Sequence, residues 1–111
     1  MFKEYKLIYT KSSQTDVKAM RRYIIDKFKY IGLAKNFDSK ISHSLKVIRK
    51  APDVYKTTGF YYRGYEIYMR CIDSYLFFYI VEETAIVLLR VLKDGMNWEY
   101  IIKMWLRQSG Y

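Results

Sequence analysis

Residues 74–102 read SYLFFYIVEETAIVLLRVLKDGMNWEYII, and this stretch decides the fold. YLFFYIVE (75–82) and AIVLLRVLK (85–93) are rich in β-branched and aromatic residues, the side chains that suit a pleated, half-buried surface. Only Glu83-Thr84 separates them, which predicts a tight antiparallel hairpin. Asp94-Gly95 ends the second strand. Trp98, Ile101, Ile102 and Trp105 then recur at helical spacing, with Asn97 placed to cap a short terminal helix.

Working backward, YEIYMRCI (65–72) is a further strand, joined to the hairpin by Asp73-Ser74. Before Pro52 the period changes. Ala34, Phe37, Ile41, Leu45 and Ile48 form a helical stripe that must end ahead of the proline. Val17, Met20, Ile24, Phe28 and Ile31 form an earlier stripe, with Ser13 as its expected cap, Asp16 in its positive first turn and Gly32 at its end. YKLIYT (5–10) alternates with a period of two and opens the chain as a strand. The order is β-α-α-β-β-β-α across residues 1–111 as one domain. Such a chain is an α+β protein, with two N-terminal helices packed on a mainly antiparallel four-stranded sheet.

Charge is the informative total. Twenty Lys and Arg against eleven Asp and Glu give +9, a field that favours RNA, DNA or an acidic protein segment without choosing among them. A single cysteine, Cys71, leaves no internal disulfide and no multi-cysteine metal site. No apolar run approaches the ~20 residues that cross a bilayer, so no membrane partner is expected. MFKEYKLIYTKSS lacks the apolar core of a signal peptide, and a cytoplasmic location is the expectation.

Conventional catalytic signatures are absent: there is no Gly-rich phosphate loop, zinc spacing or nucleophile elbow, and no cofactor is expected. His43, between Ser42 and Ser44, falls off the apolar stripe and reads as a surface residue. Cys71 shares strand parity with Tyr65, Ile67 and Met69 and reads as a buried thiol. The tyrosines of YKTTGFYYRGYEIYMR either stack bases beside basic residues or serve as strand formers with wet hydroxyls, and the second reading is favoured. Glu66, Tyr68 and Arg70 share the other face of the 65–72 strand. If the helices cover the apolar face, these three lie on an open concave surface, with Arg63 just ahead of it and Lys93 at its far end. Arg90 shares parity with Leu88 and Leu92, so it must snorkel or be paired, its charge staying near that surface.

The whole chain resembles the RelE/ParE toxin superfamily of bacterial type II toxin–antitoxin systems. YKLIYTKSSQTDVKAMRRYI is similar to the family's strand leading into a capped helix, and AKNFDSKISHSLKVIRKAP to its second helix. The hairpin quoted first resembles the family's aromatic hairpin and its "RVL…(D/N)W" ending. The resemblance implies a growth-inhibiting toxin neutralised by a cognate antitoxin. RelE-like members enter the ribosome and cut mRNA, whereas ParE-like members block DNA gyrase. Cleavage by a 2′-OH needs a proton acceptor, a proton donor and cations for the developing charge. On the RelE-like reading, slightly favoured because positive charge suits RNA, the catalytic residues are Arg70, Arg90, Lys93, Glu66 and Tyr100. Arg63, Tyr68, Arg70 and Lys93 then bind nucleic acid. This chain departs from RelE in having Leu76 where RelE has an arginine, and DGMN where RelE has a basic cluster. Those departures leave room for the gyrase alternative.

Overall fold

The computed structural model describes residues 5–54 and 56–109. It runs through β1 (Lys6–Tyr9), α1 (Lys11–Phe28), α2 (Ile31–Lys50), a 3-10 turn at Pro52–Val54, β2 (Thr57–Tyr62), β3 (Tyr65–Ile72), β4 (Tyr75–Glu82), β5 (Ala85–Lys93) and α3 (Trp98–Gln108). The sheet order is β1-β5-β4-β3-β2, with β1 parallel to β5 and every other neighbour antiparallel.

The sheet has five strands rather than four. The additional one, β2, carries TTGFYY, in which Gly59 sits at φ +84° and the pairing with β3 shifts register. That irregularity hides the alternation that reveals a strand. Two-residue turns join β2 to β3 and β3 to β4. Arg63 and Gly64 in the first, and Asp73 and Ser74 in the second, have positive φ. Such turns match the right-handed twist of the flanking strands.

Helix starts and stops differ in detail from the pattern reading. Thr10, not Ser13, caps α1: its hydroxyl oxygen accepts from the Ser13 N–H at 3.1 Å. The same hydroxyl lies 2.9 and 3.0 Å from the carbonyls of Leu88 and Leu89, tying the helix start to β5. Asp16 is therefore beyond the first turn. Lys29 ends α1 in the left-handed region, where its N–H donates to the Ile25 carbonyl at 2.8 Å. Gly32 falls inside α2, and a Cβ there would come within 2.7 Å of the Tyr30 ring.

Both faces of the sheet are apolar and both are covered. Phe37, Ile41, Leu45 and Ile48 of α2 pack on Phe77, Tyr79, Ile86, Leu88 and Val91, with Val17, Met20 and Ile24 of α1 alongside. On the opposite face Ile102 and Leu106 of α3 pack on Ile67, Leu76, Phe78, Ile80, Leu89 and Leu92. Full burial of each such side chain contributes roughly 1.5–3 kcal/mol, so neither layer is incidental.

This arrangement corrects the expected open concave surface. Tyr68 packs under the helical pair, so the Glu66/Tyr68/Arg70 face is the one that α1 and α2 cover, while Ile67 and Met69 lie beneath α3. The reason lies in β4 and β5, which are apolar on both sides and require a layer over each. Cys71, expected to be buried, is exposed, because the apolar contacts of α3 reach Ile67 and Met69 and stop short of it. His43 is exposed on α2, as its position off the stripe predicts.

Candidate functional site

A β-bulge decides where Arg90 points. Phe78 pairs with Arg90 and Tyr79 with Leu88, so β5 carries one extra residue at Leu89. Leu88 and Val91 consequently face the helical pair, while Leu89 and Leu92 face α3. The parity that grouped Arg90 with Leu88 and Leu92 is broken on the Leu88 side of the bulge and kept on the Leu92 side. Arg90 turns to the α3 side, its guanidinium 5.8 Å from the centre of the Trp105 ring.

There it meets Asp16. Arg90 Nε donates to one carboxylate oxygen at 2.7 Å and Nη2 to the other at 3.0 Å, a two-point pairing. The Val91 N–H donates to the same carboxylate at 3.0 Å. The two side chains are only 16% and 15% exposed, so this pair is largely shielded from water. The Thr10 cap sets this geometry by fixing the start of α1 against β5.

From Arg90 the aromatic contacts continue outward. The Trp105 ring stacks on Tyr62, centres 5.5 Å apart and planes 9° apart, and its N–H donates to the Ser12 hydroxyl at 3.1 Å. Arg63, in the β2–β3 turn, lies 5.3 Å from the other ring of that stack, Tyr62. Cations thus flank the aromatic pair at either end, which pins α3 to β2, β5 and the start of α1 together. Trp98 anchors the helix's other end, 5.6 Å from Phe78 and 6.4 Å from Phe60.

The remaining sequence-derived site residues are distributed. Glu66, Tyr68 and Arg70 sit on β3 on the helical-pair side, partly buried, with Arg70 opposite Phe77 and Tyr68 stacked on Tyr79 at 5.6 Å. Lys93 is exposed at the end of β5 opposite Tyr75, on that same side. Arg90 faces the other way. Tyr100 is 60% exposed on α3, and Arg63 is exposed in its turn. Arg70, Lys93 and Glu66 therefore share a face, from which Arg90 and Tyr100 are separated by the sheet.

Asp16, Ser12, Tyr62 and Trp105 escaped the pattern reading as partners of Arg90 and of one another. Asp16 and Arg90 are 74 residues apart, and nothing in a single sequence links them. Among the described residues no group of three His, Cys, Asp or Glu side chains is placed to hold a metal ion. Lys27, donating to the Tyr23 hydroxyl at 2.9 Å, lowers that phenol. Burial raises the Tyr75 phenol. Lost hydration raises the Cys71 thiol, with the charge of Asp94 and its hydrogen bond adding to the effect.

Residues 7–98 match the family model described as the ParE toxin of the type II toxin–antitoxin system, parDE. Among solved structures, the chain is similar to one from the chromosomal ParDE toxin–antitoxin system of P. aeruginosa. The TM-score is 0.66 at 13% identity, over 83% of this chain and 98% of the other. It is also similar to a chain of the toxin–antitoxin complex RelBE2 from Mycobacterium tuberculosis, with a TM-score of 0.56 at 13% identity, over 82% and 99% of the two chains. No curated protein matches the sequence. The family match spans most of the chain, which belongs to the ParE toxin family and, with it, to the RelE/ParE superfamily of type II toxins.

Proposed function

We propose that this ParE-family toxin arrests bacterial growth by binding DNA gyrase rather than by cutting mRNA, and that a cognate antitoxin neutralises it. The observation that carries the choice is the separation of the groups an RNase would need. Arg90 is committed to Asp16 and Trp105 on one side of the sheet, whereas Arg70, Lys93 and Glu66 stand on the other. General acid–base chemistry requires its donor, acceptor and charge stabilisers around one reacting phosphate. A surface that acts by binding has no such requirement. The basic exterior suits a target that works on DNA, and it suits an acidic antitoxin segment equally well. The site of action on this reading is the cytoplasm. No helix among the described residues is long and apolar enough to cross a membrane.

Two assays on the purified protein test the choice. In a gyrase supercoiling reaction, added protein should block the conversion of relaxed plasmid. With ribosomes programmed with mRNA, the message should remain whole. Cleavage in the A-site codon alongside unimpaired supercoiling would restore the ribosome-dependent RNase reading, with Arg70 and Lys93 as the first residues to substitute.

A further inference from the structure

Helix α1 turns a line of positive charge to solvent. At about 100° per residue, Lys11, Lys18 and Arg22 fall within about 40° of one another around its axis, and Lys29 continues the line at the C-cap. All four side chains are exposed, and the line is about 27 Å long. Val17, Met20 and Ile24, on the other side of the helix, pack toward the sheet. Solvation alone does not ask for this arrangement, since a helix that only needs a wet face gains from mixing signs at three- and four-residue spacing. Of the acids on α1, Asp16 turns inward to Arg90, which leaves Asp26 beside the line. Asp38, across on α2, is taken by Arg21 at 3.1 Å, and none of the four cations is in an ion pair among the described residues.

Two of the four stand against the local preference of the backbone. Lys11 opens the helix at its positive end, where no acid occupies the first turn. Lys29 closes it at φ 52°, a left-handed position that favours Gly or Asn, so its charge suits the helix end but its Cβ does not. Between them Lys18, Arg21, Arg22, Ile25 and Asp26 line a surface depression of about 490 Å³, with three cations to one carboxylate. We propose that this outer face of α1 binds the sugar–phosphate backbone of duplex DNA without regard to sequence. A compact anion would meet one or two of these cations, whereas the full line matches an extended polyanion carrying a charge about every 1.7 Å of its axis. Gln14 and Thr15, exposed along the same face, add donors for phosphate oxygens. Single strands fit less well, because they bind on aromatic platforms set among cations. The apolar residue within this face is Ile25, aliphatic and half-buried, and Tyr23 projects about a third of a turn away. An acidic protein segment would lack the apolar anchor pocket on which protein interfaces centre.

The inference goes beyond the gyrase reading and does not need it. The full chain is titrated into a fluorescein-labelled DNA duplex of mixed sequence, longer than α1, and fluorescence anisotropy is followed over a series of salt concentrations. Four phosphate contacts should give a slope of about −3 to −4 in log affinity against log salt. Lys18→Gln/Arg22→Gln should weaken binding about tenfold and reduce that slope by about 2. Circular dichroism should stay unchanged, because both side chains are exposed. The matched control Lys103→Gln/Arg107→Gln removes the same charge from exposed positions of α3, across the sheet, and should stay within about twofold of the parent, since distant surface charges are screened. Absence of saturable duplex binding would overturn the proposal. Equal losses in the two double variants would do so as well, assigning the affinity to the overall +9 charge instead of to α1. A labelled oligouridylate that binds more tightly than the duplex, or a labelled polyglutamate that binds as tightly, and is lost in the α1 variant would reassign the face to single strands or to protein. The titration contains no gyrase, so its failure leaves gyrase inhibition to its own assay, and unimpaired supercoiling leaves the duplex result standing.

Discussion

Substituting Asp16 tests the central claim about Arg90. Asp16→Leu removes both acceptors of the guanidinium and the acceptor of the Val91 N–H. Breaking a buried ion pair from one side costs about 3–5 kcal/mol, because the remaining charge is left uncompensated. Exposures of 16% and 15% place this pair toward the lower end of that range, about 3 kcal/mol. The Trp105 ring, 5.8 Å from the guanidinium, offsets part of the loss, and the orphaned Val91 N–H adds about 1 kcal/mol. For a domain of this size the sum corresponds to a fall in Tm of about 10–20 °C. Urea unfolding followed by tryptophan fluorescence should show the midpoint falling with an unchanged slope. The double variant Asp16→Leu/Arg90→Met removes both charges together and should recover to within about 1 kcal/mol of the parent, since apolar replacements of buried pairs are often neutral. It should also still arrest growth. A single-variant loss under about 1 kcal/mol would refute the structural account of the pair. A well-folded double variant that no longer arrests growth would refute it from the other side, by making Arg90 a contacting or reacting group.

Trp105→Ala should loosen α3 before the rest of the fold: the ring is half-buried, and its loss should cost about 2–3 kcal/mol, below the range for a fully buried tryptophan. Hydrogen exchange should quicken along Trp98–Gln108 while β4 and β5 stay protected. Tyr79→Phe deletes a buried hydroxyl that donates to the Pro52 carbonyl at 2.8 Å and should cost about 1–2 kcal/mol by chemical denaturation. Cys71 should reach its alkylation midpoint at a pH above that of a free thiol, and Asp94→Asn should bring the midpoint back toward it. Because the folded thiol is raised, the unfolded chain releases this proton first, so its contribution to stability is lost as pH rises past the unfolded value.

The sequence by itself determined the layers' ingredients. The continuous apolar runs at 75–82 and 85–93, separated by two residues, permit only a central hairpin, and its bounds are those of β4 and β5. The Ala34/Phe37/Ile41/Leu45/Ile48 stripe ahead of Pro52 predicts the buried face of α2, and Asn97 caps α3, its side chain accepting from the Tyr100 N–H at 3.4 Å. These features are local, because period and capping depend on residues a few positions apart. What only the tertiary structure decided is which way the polar side chains look. The Leu89 bulge is a mismatch between two strands and leaves no trace in either one alone, yet it parts Arg90 from Leu88 while leaving it on the same face as Leu92. The Asp16–Arg90 pair and the Trp105–Tyr62 stack join segments distant in the chain. Covering both faces of a doubly apolar hairpin takes the helical pair and α3 alike, and that demand of packing placed Glu66, Tyr68 and Arg70 under α1 and α2 instead of on an open surface.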